Sequence, residues 1–186
     1  MGKKLSEMTL EELWRLFPII LTAHQGCWKE WYFEEEALLK NVLPQAERIS
    51  HIGSTAISSI WAKPIIDILA EIPNGSDLSV YKNLITHSGY ICMSESDKDL
   101  SFNKGYTENG FAERVFHLHL RYAGDNNELY FRDYLNEFSD VAKEYEKLKL
   151  SLWKEYEHNR DAYTNAKTEF VKQYTEQAKM LYGKRY

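Results

Sequence analysis

The chain has 186 residues, of which 44% are hydrophobic and 14% aromatic, and it carries a formal net charge of −5. This length and composition exclude a disordered chain and predict one domain over residues 1–186 with a sizeable core. The acidic balance argues against a broad basic surface for duplex nucleic acid, although a small basic pocket is compatible with it.

Membrane and export signals are the next features to consider. No apolar stretch reaches membrane length, since residues 17–23 are too few, and the N-terminal segment lacks the apolar region of a signal peptide. Cys27 and Cys92 lack the spacing of a metal or redox motif, which favours a reducing compartment. We therefore expect a cytoplasmic protein with no membrane partner.

The first half of the chain is predicted to begin with a helix. Thr9 is a plausible N-cap, because Glu12 three positions later completes a capping box. Residues 1–17 would then form a helical extension that Pro18 ends. The other elements predicted here are a strand at 19–21, a helix at 28–43, a strand at 47–51 and a buried strand at 65–69.

The second half is predicted to form a hairpin followed by helices. Asn109 and Gly110 give a strong turn signal between two strand-like runs, which predicts a hairpin over residues 101–122. A helix at 77–87 and a strand at 90–93 precede it. Helices at 128–138, at 139–157 with Ser139 as N-cap, and from 161 or 164 to about 181 follow it, with Gly183 as the stop. This order favours an α+β or α/β fold with one sheet covered by helices and a helical C-terminal third.

One carboxylate stands inside an apolar run and follows a glycine-serine turn. Asp67 lies among isoleucines and leucine, where an isolated charge is costly unless it is paired or binds a metal. Gly53 lets backbone approach a phosphate closely, and Ser54 adds a hydroxyl. A carboxylate on the adjoining strand could hold the Mg²⁺ that neutralises that phosphate. The alternative is an ordinary loop and a buried, hydrogen-bonded aspartate.

Two histidines alternate with leucines in the predicted hairpin. His117 and His119 are two apart, so in a strand both imidazoles project from one face and could bind a metal or a phosphate. Two surface histidines are the simpler interpretation, unless Asp67 lies across the sheet. Glu71 shares the face of Asp67 and is a candidate for a further acid at the strand end.

Four cations are candidates for binding an anion. Lys63 is held extended by the following proline, and its parity places it near the face of Asp67. Lys167 would fall in the first turn of a helix, where a cation is unfavourable to the helix dipole unless an anion is present. Arg132 and Lys149 complete the set. Solvated side chains are the alternative for each.

Five short motifs occur in an order that resembles the GrpB family of the nucleotidyltransferase-like superfamily. They are HIGSTA, AKPIIDI, FHLHL, FRDYL and AYTNAK, and the resemblance runs from Leu13 to Ala178. It implies a nucleotidyltransferase-like fold, with a mixed, twisted sheet that carries the glycine-serine turn and the acidic strand and is flanked by helices. It does not imply a settled reaction.

The superfamily pattern places two acids two residues apart after the turn and a third acid on a neighbouring strand, where they hold two metal ions. By resemblance, Asp67 matches the first acid, but Leu69 occupies the second position. His117 and His119 could occupy the place of the third acid. With Asp67 they would form a set of two histidines and one carboxylate, suited to Mn²⁺, Fe²⁺ or Zn²⁺ rather than Mg²⁺.

Two functions follow from these observations. The first is a metal-dependent nucleotidyltransferase that uses Mg²⁺, Mn²⁺ or Zn²⁺ and a small-molecule acceptor, with Asp67, His117 and His119 as catalytic and metal-binding residues. The residues that would bind nucleotide or phosphate are Gly53, Ser54, Thr55, Lys63, Arg132 and Lys167. The second is a non-catalytic domain that binds a nucleotide or phosphate, or assists folding, like a similar domain joined to dephospho-CoA kinase. In both, the partner is a nucleotide or another phosphorylated small molecule.

Overall fold

Seven α-helices and five strands follow one another along residues 4–186, the part of the chain that this computed structural model describes. The strands are β1 (Arg48–Ile52), β2 (Ile66–Ile72), β3 (Ile91–Glu95), β4 (Asp99–Thr107) and β5 (Gly110–Tyr122). The helices are α1 (Leu10–Leu16), α2 (Cys27–Val42), α3 (Leu78–His87), α4 (Asn127–Glu137), α5 (Ser139–Tyr156), α6 (Arg160–Asn165) and α7 (Thr168–Tyr182).

The predicted helix at the start of the chain is confirmed together with its cap. The Thr9 side chain accepts a hydrogen bond from the Glu12 amide, and the Glu12 side chain accepts one from the Thr9 amide. The predicted helix at 161–181 is divided into α6 and α7 because the chain turns at Ala166 and Lys167. The cap predicted for Ser139 is wrong, since Phe138 occupies the N-cap position of α5 and no side chain caps it.

The strand predicted at residues 19–21 is also wrong. This segment is extended, but the Ile19 amide donates to the Glu157 carbonyl at 3.0 Å, which ties the segment to the end of α5 and not to the sheet. Strand-like pairing begins only after this segment, as a single isolated bridge between Thr22 and Ala62. Apolar side chains at 19 and 21 are buried all the same, which is why the sequence resembles a strand here.

The five strands form one mixed sheet in the order β1-β2-β5-β4-β3. Strands β2 and β5 pair in parallel, and the other neighbours pair antiparallel. This arrangement confirms the predicted mixed sheet flanked by helices. The parallel pair positions the candidate functional residues, because its register puts Asp67 beside His117 and Leu69 beside His119.

One face of the sheet carries the main core. Alternate residues of the two central strands, such as Ile68 and Leu118, are fully buried against α2 and α3, where Trp28 and Leu39 belong to the same cluster. This is the expected period of two in a strand whose face packs on helices. Asp67 and both histidines therefore project from the opposite face.

The opposite face is approached by the C-terminal helices. Leu69 packs with Ile52 of β1 and Leu129 of α4 in a small cluster. A second cluster joins α4, α5 and α7 to the loop after β1 through side chains that include Ile60 and Phe131. The polar residues of this face lie beside the Leu69 cluster.

Among the described residues, no helix is both long and apolar enough to cross a membrane.

Candidate functional site

Polar side chains gather around Asp67 on the face of the sheet opposite the main core, and we call this group of residues the Asp67 pocket. Its residues are Gly53, Ser54, Lys63, Asp67, His117, His119, Lys149 and Lys167. The structure therefore brings together most of the residues that the sequence singled out.

Gly53 allows the turn after β1 to approach Asp67. Its φ of 69° lies in a region that side chains rarely adopt. A Cβ built at this position would overlap the carboxylate oxygen Oδ2 of Asp67. The glycine is thus required both by its backbone conformation and by the space that the aspartate occupies.

Asp67 forms a hydrogen bond to the first of the two histidines. The Nδ1 of His117 lies 3.1 Å from Oδ1 of Asp67, across the parallel strands. Burial by itself would raise the pKa of Asp67. The His117 hydrogen bond and the charges of His117, His119 and Lys63 outweigh burial and hold the pKa at about 2. Asp67 is therefore an ionised carboxylate at neutral pH.

A chain of hydrogen bonds continues from His117 to Arg160. The Tyr106 hydroxyl lies 2.8 Å from Nε2 of His117, and Nη2 of Arg160 donates to the same hydroxyl oxygen at 2.5 Å. Since arginine can only donate, the assignment that satisfies every group has Tyr106 donating to Nε2 and Nδ1–H donating to Asp67. Both ring nitrogens of His117 are then in use.

A bulge in β4 positions Tyr106. The register between β4 and β5 shifts between Lys104 and Tyr106, at Gly105, whose φ is 89°. An extra residue in a strand reverses which face the following side chains occupy. Lys104 accordingly binds Glu35 on the side of α2, whereas Tyr106 reaches His117 on the pocket side.

The predicted metal set does not fit this arrangement. In residues 4–186, no three histidine, cysteine, aspartate or glutamate side chains form a group that could hold a metal ion. A histidine ligates a metal through a nitrogen lone pair, and both nitrogens of His117 lie within hydrogen-bond distance of Asp67 or Tyr106. Asp67, His117 and His119 are therefore neighbours on one face without forming the expected three-ligand site.

Burial lowers the pKa of His119 to about 4, although the charge of Asp67 acts to raise it. The imidazole is therefore neutral at physiological pH and carries its charge only in acid, the range in which Asp67 titrates. Its neighbour in the register is Leu69, which is fully buried. The position where the sequence resemblance led us to expect a second acid is thus filled by an apolar side chain that packs against β1 and α4.

Three lysines from different elements gather near Asp67, of which Lys63 and Lys167 interact with its charge and Lys149 interacts with those two lysines. Lys63 precedes β2, Lys149 lies in α5, and Lys167 occupies the position before α7. Burial is the main cause that lowers the pKa of Lys63 and Lys149 to about 7, and repulsion from Lys167 lowers both further. Burial likewise lowers the pKa of Lys167 to about 8, although the charge of Asp67 acts to raise it.

Aromatic rings support these lysines. The Nζ atoms of Lys63 and Lys167 lie 5.4 and 4.3 Å from the centre of the Tyr163 ring, and Nζ of Lys149 lies 4.9 Å from that of Tyr145. Such contacts stabilise each cation modestly. Lys149 is 2% exposed, and its Nζ donates to the Trp61 carbonyl. The lysines are held in place, but among the described residues none of the three forms a salt bridge.

The turn residues have different surroundings. Ser54 is hydrogen-bonded to the Tyr145 hydroxyl, whose pKa is raised mainly by burial. Thr55 is turned inward, because its hydroxyl donates to the Ile65 carbonyl at 3.2 Å and lies 2.9 Å from Nε2 of His51. Ser54 therefore borders the pocket, whereas the Thr55 hydroxyl holds the turn to β1 and β2.

Two further candidates are engaged outside the pocket. The guanidinium of Arg132 donates to the His51 carbonyl at 2.9 Å, to Asp133 at 2.8 Å and to the Tyr186 hydroxyl at 3.1 Å. Glu71 is buried. It accepts hydrogen bonds from the backbone amide of Gly124 and from the side-chain amide of Asn126, both of which follow β5. In this structure both residues hold elements together, and neither faces Asp67.

Sequence reasoning missed Tyr106, Tyr145, Tyr163 and Arg160. Tyr106 could have been found from Gly105, because an isolated glycine inside a strand pattern indicates a bulge. Arg160 begins α6, where a cation is unfavourable for the same reason that singled out Lys167. The two other tyrosines lie at ordinary helical positions, and nothing in the sequence distinguishes them.

The fold and the pocket define an α/β protein whose mixed sheet carries an Asp–His pair beside a glycine turn. A family model described as "GrpB protein" matches residues 18–177. The glutamate-rich protein GrpB of Alkalihalophilus pseudofirmus is 36% identical over 160 residues, which cover 82% of this chain and 91% of that protein. The chain belongs to the GrpB family.

Two other relatives agree with this assignment. YqkA of Bacillus subtilis is 31% identical over 183 residues, covering 95% of this chain, which spans only 52% of that protein. A crystal structure of GrpB from Enterococcus faecalis has a TM-score of 0.76 and 29% identity, covering 88% of this chain and 99% of that one. A structure of the Cid1 poly(U) polymerase has a TM-score of 0.49 and 15% identity, which is too low to support a functional conclusion.

Proposed function

We propose that the Asp67 pocket binds the phosphate groups of a nucleotide or of another phosphorylated small molecule directly on its lysines. The observation that carries this proposal is an excess of positive charge: Lys63 and Lys167 lie near the carboxylate of Asp67, and Lys149 lies near both of these lysines. Burial and mutual repulsion make their protonated forms unfavourable, and a multivalent anion would offset that cost. Ser54 borders the same space and offers a hydroxyl to the ligand.

Metal-dependent nucleotidyl transfer to a small-molecule acceptor is a second candidate, and one observation favours it. Asp67 is ionised beside the glycine turn, where a carboxylate could share one Mg²⁺ with a bound triphosphate. A clamp of two metal ions is not supported, because Leu69 fills the place of the second acid and Nε2 of His117 is occupied. Any ion would depend on the nucleotide for most of its ligands.

Binding measurements separate these functions. We would titrate ATP and tripolyphosphate by calorimetry, each with Mg²⁺ and with a chelator. Direct binding predicts association in the chelator and a loss of about tenfold or more in Lys167→Met, equivalent to about 1.4 kcal/mol. Lys172→Met removes the same charge from an exposed position of α7 and should bind like the wild type.

Asp67→Asn distinguishes the two roles of the carboxylate. Direct binding predicts that this variant binds tripolyphosphate as tightly as the wild type or more tightly, because a negative charge beside the anion is removed. Metal-dependent binding predicts the reverse, with association that needs Mg²⁺ and is lost in Asp67→Asn. An absence of binding in every combination would contradict both candidates and favour the folding-accessory role.

A further inference from the structure

A cleft of about 210 Å³ lies next to the Asp67 pocket, with which it shares Lys63. Its apolar lining includes Phe17, Ile20, Phe111 and Ala112, and Arg160 lines it together with Lys63. We call it the Phe17–Phe111 cleft. At about 30 Å³ for each water molecule, it has room for about seven waters, or a small organic molecule.

The walls of the cleft are held by contacts elsewhere in the fold. The segment that contains Phe17 and Ile20 is fixed by the hydrogen bond from the Ile19 amide to the Glu157 carbonyl. The Phe17 ring packs on Tyr106 and Phe111, at centroid distances of 4.7 and 5.0 Å. The cleft is therefore preformed, although Ile20 in its wall is 45% exposed.

The cations of the cleft are available to a ligand. Among residues 4–186, no carboxylate lies within salt-bridge distance of Lys63 or Arg160. Arg160 uses one nitrogen to bind Tyr106, so most of its five N–H donors remain. Glu113 is the acid in the lining, it is exposed, and it leaves the cleft with a net positive charge.

We propose that the Phe17–Phe111 cleft binds a small organic anion, with an apolar body against Ile20 and the packed Phe17 and Phe111 rings and a phosphate or carboxylate headgroup on Arg160 and Lys63. An apolar pocket with a few convergent polar groups is the usual form of a small-molecule site. Arginine is well suited to the headgroup because its planar fork matches such anions. This site goes beyond phosphate binding in the Asp67 pocket, with which it shares Lys63.

The relation between the two sites follows from the hydrogen-bonded chain. Arg160 contacts Tyr106, Tyr106 contacts His117, and His117 contacts Asp67. An anion in the cleft would draw the Arg160 guanidinium towards its headgroup and weaken the bond to Tyr106. The cleft is thus placed to hold a second ligand next to the one on the lysines.

Phenyl phosphate is the probe that tests this proposal, because it combines an aromatic body with an anionic headgroup. We expect calorimetry to show it binding about tenfold or more tightly than either inorganic phosphate or benzyl alcohol. Phenylacetate tests whether a carboxylate serves as well as a phosphate, and binding of either anion supports the site. Phenyl phosphate that binds no more tightly than inorganic phosphate would overturn it.

Ala112→Trp tests whether phenyl phosphate binds in the cleft. Residue 112 is exposed, so a large side chain there would fill the cleft without disturbing the core. It should weaken phenyl phosphate about tenfold or more and leave tripolyphosphate unaffected, whereas Ala112→Ser should change neither. Thermal melting confirms that both variants fold. Unchanged phenyl phosphate binding in folded Ala112→Trp contradicts the proposal, whatever the result for tripolyphosphate.

Discussion

Nδ1 of His117 and Oδ1 of Asp67 are 3.1 Å apart although 50 residues separate them in sequence. This contact and the surrounding positive charges keep the pKa of Asp67 below its ordinary value despite burial. It links the strand after the glycine turn, through Tyr106, to the arginine that lines the neighbouring cleft.

Asp67 should contribute to stability at neutral pH and lose that contribution in acid. Because its folded pKa of about 2 lies below the unfolded value, the stabilisation is complete above about pH 4 and disappears as the pH falls towards 2. Asp67→Asn should therefore unfold about 1–2 kcal/mol more easily than the wild type at pH 7, and equally near pH 2. Urea denaturation at a series of pH values measures the difference. A constant gap from pH 7 to pH 2 would contradict the proposed charge interactions.

Gly53→Ala should be more damaging than a similar change elsewhere. The new Cβ would be strained by the backbone conformation and would also overlap Asp67. Gly183→Ala is the matched control, since Gly183 has a comparable backbone (φ 59°, ψ −140°) and open space around it. We expect about 1–3 kcal/mol from strain in both variants and a further loss in Gly53→Ala alone. Equal losses of unfolding free energy in the two variants, measured by thermal or chemical unfolding, would show that Asp67 can move away from a Cβ at position 53.

Lys149→Met should stabilise the protein, and the gain should depend on pH. Below pH 7 the buried lysine is protonated in both the folded and the unfolded chain, so the wild type bears the full cost of burying the charge. Between pH 7 and about 10 the folded form gives up its proton and the cost falls. We expect a gain of roughly 1–3 kcal/mol at pH 6 that shrinks by pH 9. Lys147→Met on the exposed side of α5 should show neither effect.

Sulfate binding should strengthen as the pH falls from 9 to 6. Lys63 and Lys149, with pKa values of about 7, and Lys167, at about 8, become protonated over this range. Sulfate keeps the same charge throughout, so the change reports on the protein alone. Calorimetry in buffers of different ionisation enthalpy should also show protons taken up on binding. Affinity that is constant across this range would contradict the role given to the lysines.

Leu69→Asp tests whether the missing acid could simply be restored. Leu69 is fully buried beside Ile52 and Leu129, so a carboxylate there loses the packing and adds a buried charge. We expect a loss at least as large as that of Leu69→Ala, about 2–5 kcal/mol. Chemical denaturation of both variants gives the comparison. Wild-type stability together with new Mn²⁺ binding would show that the position still accepts a metal ligand.

The sequence was sufficient for most of the fold because local signals there agree with the final packing. The Thr9 cap, the Asn109–Gly110 turn and the alternation of leucine with His117 and His119 are patterns that the structure confirms. Strand parity was also sufficient to put both histidines on one face, whereas their grouping with Asp67 came from the family resemblance.

The remainder of the pocket depends on contacts between distant segments. The segment at 19–21 has the composition of a strand, and only its hydrogen bond to the end of α5 shows otherwise. Arg132 resembles a phosphate ligand in sequence, but its partners are a carbonyl on β1 and the hydroxyl of Tyr186. The metal set of Asp67, His117 and His119 stays a prediction, and the sequence did not show that Tyr106, placed by the bulge at Gly105, contacts the second nitrogen of His117.

The parallel pairing of β2 with β5 has a consequence for the order of folding. The chain that leaves Ile72 must pass through α3, β3 and β4 before β5 can lie beside β2, and closing so long a loop is entropically slow. The β4–β5 hairpin needs no such closure. In pulse-labelling hydrogen exchange we therefore expect amides of β4 and β5 to become protected first, while Asp67 and its lysines come together only in the last kinetic phase.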